Sequence, residues 1–223
     1  MNKTKLLAAV CCTAMLFAAC EKPKEAIDLG LSVKWAACNL GATKPEEYGN
    51  YYAWGETTTK SEYTWNTCKY GSNYGAFTKY GFNHRVFTKY CTDSNYGTVD
   101  NKTTLEAADD AATQNWGANW RMPTISEWKE LVEKCTWRWT TKNSVKGYEV
   151  KASNGNSIFL PAAGCHFGSN LKVQDAASSG LYWSCSLYKS GIDYARLMLF
   201  SSNKHDLDGY GRCFGFSIRP VRR

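Results

Sequence analysis

The chain has 223 residues, a length within the usual range of one domain. Its 27 basic and 20 acidic residues leave a formal +7 with no long basic run, a mild excess that argues for no particular partner, and 14% of it is Phe, Trp or Tyr. Its ten cysteines include no C-x-x-C pair, which excludes the usual zinc-knuckle and thioredoxin arrangements.

Residues 1–5 are short and basic, and 6–19 form an apolar run too short to span a bilayer as a mature helix. The run ends in Leu16-Phe17-Ala18-Ala19-Cys20, which resembles a bacterial lipoprotein cleavage site apart from Phe17, where Leu is usual. The resemblance implies removal of residues 1–19, lipidation of Cys20 and a place in the cell envelope, at the outer membrane or cell surface. An ordinary signal peptide cut elsewhere is the competing reading. No second long apolar run follows, so the expected membrane contact is an anchor and not a span. Residues 20–26 are a short charged tether, and 27–223 a single domain. Loss of Lys3 and Lys5 takes the basic count from 27 to 25 against 20 acidic, a net of +5. With Cys11, Cys12 and Cys20 set aside, seven cysteines remain, so at least one thiol is free or pairs between chains.

Within the domain, residues 31–35 alternate apolar and polar as a half-buried strand, and 51–56 read as a second. Glu47 and Glu56 are expected in solvated or hydrogen-bonded roles. From about 57 to 98 the chain is rich in Tyr, Gly, Asn, Ser and Lys. Here Phe77-Thr78-Lys79-Tyr80 recurs as Phe87-Thr88-Lys89-Tyr90, and Ser72-Asn73-Tyr74-Gly75 as Ser94-Asn95-Tyr96-Gly97. Interleaved cations and aromatics can stack on single-stranded nucleic acid. An exported protein rarely meets any, so no nucleic-acid partner is expected, and the insertion reads as a surface elaboration pinned by its aromatics. Thr103-Thr104-Leu105-Glu106 reads as a capping box opening a helix over 104–116, with Asp109 and Asp110 near its middle on a solvated face.

Gly117 is placed to stop that helix, and Pro123 cannot continue one. Thr124 with Glu127 makes a further capping box, opening a helix over 125–134 with Ile125, Trp128, Leu131, Val132 and Cys135 on one stripe. Trp116, Trp120 and Trp128 are too large to be solvated cheaply, so this turn should floor the core. Beyond it the chain reads as strands and turns. Residues 148–152 and 158–164 form a hairpin about Ser153-Asn154-Gly155-Asn156, and strands follow at 181–186, 194–200 and 214–221.

Trp120-Arg121-Met122-Pro123-Thr124 with Glu127-Trp128 resembles the signature of the formylglycine-generating-enzyme and C-type-lectin-like superfamily. The stretch at 154–164, Tyr182-Trp183-Ser184 with Ser186, and Gly215-Phe216-Ser217-Ile218-Arg219-Pro220-Val221 extend the resemblance in family order. More closely, residues 27–222 are similar to the Fibrobacter succinogenes major paralogous domain. The resemblance implies an α+β, C-type-lectin-like fold: two helices on a small, twisted antiparallel sheet with long loops.

Function reads less directly. Formylglycine-generating relatives use two cysteines close in sequence to bind copper, whereas Cys185 and Cys213 stand 28 residues apart. Cys185 also falls where the family commonly has Ser, so catalysis does not carry over. The Glu-Pro-Asn, Gln-Pro-Asp and Trp-Asn-Asp tripeptides of calcium-dependent lectins are absent from the sequence. His166 beside Cys165, with His205 and Cys213, has no metal-ligand spacing, so neither enzyme, metal nor cofactor is expected. The segment from Tyr188 to Phe214 mixes the residues that binding loops favour. Its candidate ligand contacts are Tyr188, Asp193, Tyr194, Arg196, His205, Asp206, Asp208, Tyr210, Arg212 and Phe214, with Ser190 and Asn203 among them. In lectin-like proteins diversified by retroelements this segment is the variable region. The expectation is a lipid-anchored module that binds an envelope or extracellular protein or glycan; the alternatives are a thiol- or metal-dependent oxidase of the formylglycine-generating type and a structural envelope protein without a soluble ligand.

Overall fold

The computed structural model describes residues 24–72, 85–169, 173–189 and 191–223. The leader, Cys20, the first copies of both short repeats apart from Ser72, and Ser190 lie outside the described residues.

The fold is α+β, with few helices and antiparallel pairing in every sheet. In chain order come β1 (Ala26–Ile27), β2 (Lys34–Ala36), β3 (Gly71–Ser72), β4 (Val86–Phe87), α1 (Ala111–Trp116) and α2 (Ile125–Lys134). They are followed by β5 (Thr136–Lys142), β6 (Val145–Lys151), β7 (Ser157–Pro161), β8 (Ser179–Leu187), β9 (Tyr194–Ser201), β10 (Lys204–Gly211) and β11 (Val221–Arg222). The sheets run β1-β2-β11, β3-β4, β5-β6-β7 and β10-β9-β8. Both ends of the domain therefore meet in one sheet, where Trp35 of β2 faces Ile27 on one side and Val221 on the other. Among the described residues no helix is long and apolar enough to cross a membrane.

Helix α2 forms as its sequence dictates. Thr124 accepts from the Glu127 N–H, and the Glu127 carboxylate accepts from the Thr124 N–H at 2.8 Å, so each satisfies a donor the helix leaves open. Arg121 grips the same carboxylate with both terminal nitrogens, at 2.8 and 2.5 Å. The inward stripe is Trp128 and Leu131, both fully buried.

The helix expected over 104–116 is shorter. Thr104 bridges Ser186, residues Ala107–Asp109 make one 3₁₀ turn, and the α-helix starts only at Ala111. Asp110, not Thr103, is the cap: its carboxylate accepts from the Thr113 N–H at 2.9 Å. Leu105 is drawn into the core instead, its N–H bonded to the Cys185 carbonyl. Gly117 does end α1, at φ 92°, a left-handed conformation that side-chain-bearing residues resist.

Sheet β10-β9-β8 separates two apolar clusters. One face sends Trp183, Cys185, Ala195 and Leu197 toward Trp54, Tyr90 and Phe216. The other sends Tyr182, Met198 and Phe200 toward Trp35, Trp128 and Leu131. Coverage on both faces explains the nearly unbroken burial along β8. Two of the buried indoles also find acceptors: Trp183 Nε1 donates to the Tyr52 carbonyl at 2.8 Å and Trp54 Nε1 to the Ser184 carbonyl at 2.9 Å. The insertion adds core of its own, with Phe87, Tyr90 and Cys91 wholly buried, so it is more than a surface elaboration.

Candidate functional site

Paired residues in a sheet share a face. On β9 and β10, the face bearing Met198 and Phe200 also bears Arg196 and Tyr194, opposite Gly209 and Gly211. Helix α2 covers the Phe200 end through Trp128 and Leu131. The Tyr194 end carries an aromatic strip in its place. The Tyr188 and Tyr194 rings lie 6.3 Å apart at 64°, and the Arg196 guanidinium sits 5.1 Å from the Tyr188 ring. Arg196 Nε makes no hydrogen bond among the described residues. Tyr194 is 42% exposed, one of two exposed large apolar side chains among the described residues, while Tyr188 is half-buried. Gly209 makes room for this arrangement: a Cβ there would lie 2.5 Å from the Tyr188 ring. Two backbone bonds close the loop beneath, Tyr188 N–H to the Tyr194 carbonyl and Tyr194 N–H to the Gly191 carbonyl.

Other sequence-predicted contacts fall elsewhere. Asp193 flanks the strip and is held at 2.7 Å by Arg85, whose guanidinium stacks on Trp65 at 4.1 Å. His205 lies at the far end of β10, stacked on Trp137 at 4.9 Å and 12°. Asp206 and Asp208 are exposed on the edge strand, and the Lys204 ammonium holds the Asp206 carboxyl below its usual range. Tyr210 and Phe214 face the other way, half-buried against Phe167 and Phe216.

Arg212 does not belong on a binding face. It is buried between the Trp54 and Phe87 rings, and its terminal nitrogens donate to the carbonyls of Lys89, Tyr90 and Ile192. Burial lowers its pKa to about 10, so it stays charged near neutrality as a brace for the insertion.

The expected solvation of Asp109 and Asp110 is also overturned, since both are buried. Asp109 accepts from Lys69 Nζ at 2.9 Å, Lys89 Nζ at 2.5 Å, Tyr90 Oη at 2.6 Å and Tyr70 Oη. Burial alone would raise its pKa; the bonds from Lys89, Tyr70, Tyr90 and Lys69 outweigh it and hold the carboxyl well below the usual range. Every lone pair is engaged, so the cluster clamps the insertion to the residues before α1. Glu47 and Glu56 are likewise committed to neighbouring donors, Thr43 and Lys44 for the first, Lys60 and Lys69 for the second.

The seven described cysteines are all free thiols. Burial pushes Cys165, Cys185 and Cys213 up to about 12, which keeps them protonated at neutral pH. Among the described residues no group of three or more His, Cys, Asp or Glu is placed to hold a metal. Three open, polar hollows of about 510, 390 and 350 Å³ lie beside Arg222, Tyr70 and Arg138, away from the strip. Comparison of the chain with protein-family models, curated proteins and solved structures gives no match.

Proposed function

We propose that this chain is a lipid-anchored cell-envelope module of C-type-lectin-like fold that works by binding and not by catalysis. Its ligand is an extracellular or envelope protein or glycan, met by the strip of Tyr188, Tyr194 and Arg196. The observation that carries the reading is an exposed Tyr194 beside half-buried Tyr188 and a guanidinium lacking a hydrogen bond at Nε, set on a sheet whose other end is locked under α2. Rigid aromatics with a guanidinium supply most of the energy in protein recognition surfaces, and sugars stack on such rings. A thiol-dependent oxidase of the formylglycine-generating type is supported less well, because buried thiols near 12 hold little thiolate.

The test is a glycan and surface-protein binding screen with the mature chain, followed by Tyr188→Ala, Tyr194→Ala and Arg196→Ala. Each substitution should weaken the selected partner by about thirtyfold, the size expected of a central anchor. Alkylation of the free thiols with removal of metal should leave binding unchanged. Unaltered affinity in the triple variant, with its thermal unfolding preserved, would move the site elsewhere.

A further inference from the structure

A second surface stands out at the turn between the helices. Gly117, Ala118 and Asn119 are exposed, and with Arg121, Arg222 and Arg223 the last two of them line an open hollow of about 510 Å³. The arginines converge because Arg121 and Val221 bond to each other's backbone, which brings Arg222 onto the Trp120 ring at 5.4 Å. Trp120 stacks edge-on against half-buried Trp116 at 5.2 Å, and the Lys24 ammonium lies 5.6 Å from the Trp116 ring. The result is a ladder of cation, indole, indole, cation. Glu127 offsets one charge by pairing with Arg121. Glu21 and Glu25 are the acidic residues of the tether.

Lys24 is four residues from Cys20. A chain of that length reaches at most roughly 14 Å when fully extended. An acyl group on Cys20 would hold this ladder at about the height of the lipid headgroups, within two screening lengths of about 8 Å. Indole rings favour that depth, and lysines and arginines there are drawn to anionic headgroups.

We propose that the surface made by Lys24, Trp116, Arg121, Arg222 and Arg223 docks on anionic phospholipid headgroups. Docking at this turn would fix the orientation of the domain on its membrane. This inference rests on the lipid-anchor reading, and the two are tested separately.

Mass spectrometry of the native chain tests acylation of Cys20. The docking surface is tested with a full chain carrying Cys20→Ser, purified without acyl groups, and vesicles of phosphatidylglycerol mixed with phosphatidylcholine. It should sediment with these vesicles and not with pure phosphatidylcholine. Arg222→Ala with Arg223→Ala should lower the partition roughly thirtyfold, about fivefold for each cation removed from an anionic surface. Replacement of both by Lys should restore it, and Trp116→Ala should weaken it by a smaller factor. Equal partition onto neutral and anionic vesicles, or an alanine pair that binds as before, would overturn the surface whether or not Cys20 is acylated. Release by inorganic phosphate at constant ionic strength would assign the hollow to free phosphate and overturn the lipid assignment. An unmodified Cys20 with intact vesicle binding would remove the anchor and leave the surface standing.

Discussion

Asp109 and Asp110 are chain neighbours, both buried, in opposite electrostatic situations. Two ammoniums and two phenols hold the Asp109 carboxyl below its usual range; burial raises Asp110, even though the N–H groups of Thr113 and Met122 donate to it. The sign of each linkage follows. The stability that Asp109 supplies is complete above the unfolded pKa of about 3.9 and is lost as pH falls through its lower folded value. Asp110 works the other way, since its folded pKa lies above the unfolded one and stability falls as pH rises through it. Asp100, Glu127 and Glu130 are also held below their usual range and contribute to the acid-side fall, so urea unfolding at a series of pH values should show a shallower fall in Asp109→Asn than in the parent chain, while Asp110→Asn keeps the full fall. Near neutrality Asp109→Ala should cost about 2–3 kcal/mol, below the usual figure for a broken buried pair because Lys69 and Lys89 retain some access to water. A cost within error of zero would mean that the cluster is no clamp. None of this is legible from spacing. Lys69, Tyr70, Lys89 and Tyr90 stand 19 to 40 residues upstream of Asp109, too far for any helical or strand period to pair them.

Elements whose determinants lie within a few residues were legible. The Thr124–Glu127 capping box with the Trp128–Leu131 stripe gave α2, and Ser153-Asn154-Gly155-Asn156 gave the turn between β6 and β7. Strand β5 was not legible because its turn hides its signal. Lys142 pairs with Val145, leaving the two-residue loop Asn143-Ser144 with φ of 46° and 67°. Positive φ at both positions is the type I′ pattern, which Asn-Gly announces and Asn-Ser does not. Ser144→Gly removes a left-handed conformation from a residue with a Cβ and should raise stability by about 1 kcal/mol, read as a higher urea midpoint at unchanged slope. An unchanged or lower midpoint would show that the turn is relaxed with Ser in place. Strand β10 was missed for another reason. It is an edge strand whose Lys204, Asp206 and Asp208 are exposed, and such charges guard an edge while erasing the apolar alternation that marks a strand.

At the scale of the molecule, the stretch expected as one strand over 214–221 is shared among neighbours. Gly215 bridges His166, Phe216 bridges Tyr52, Ser217 bridges Tyr182 and Val221 bridges Arg121, so no single partner draws a ladder from it. Arg219 sits at its centre, fully buried and with no carboxylate in its bonding. Its Nε donates to Asn39 Oδ1 at 2.9 Å, and its terminal nitrogens donate to the carbonyls of Ala36, Ala37 and Phe159 at 3.1, 3.0 and 2.8 Å. Asn39 passes the link on to the Tyr48 carbonyl and to Tyr182 Oη, which donates in turn to the Pro161 carbonyl. One planar fork thus ties the last segment to β2 and the residues after it and to β7. Lys in its place keeps the charge but cannot span acceptors on both of these segments. Arg219→Lys should therefore destabilise by about 3–5 kcal/mol, the cost of a buried charge left short of partners. The loss should not be uniform. Hydrogen exchange should quicken first at the N–H groups of Ala36 and Leu40, which bond to Pro220 and Ile218, before it does in α2, whose bonds are its own. Equal acceleration at both places would mean that the ends are held by the whole core and not by this side chain.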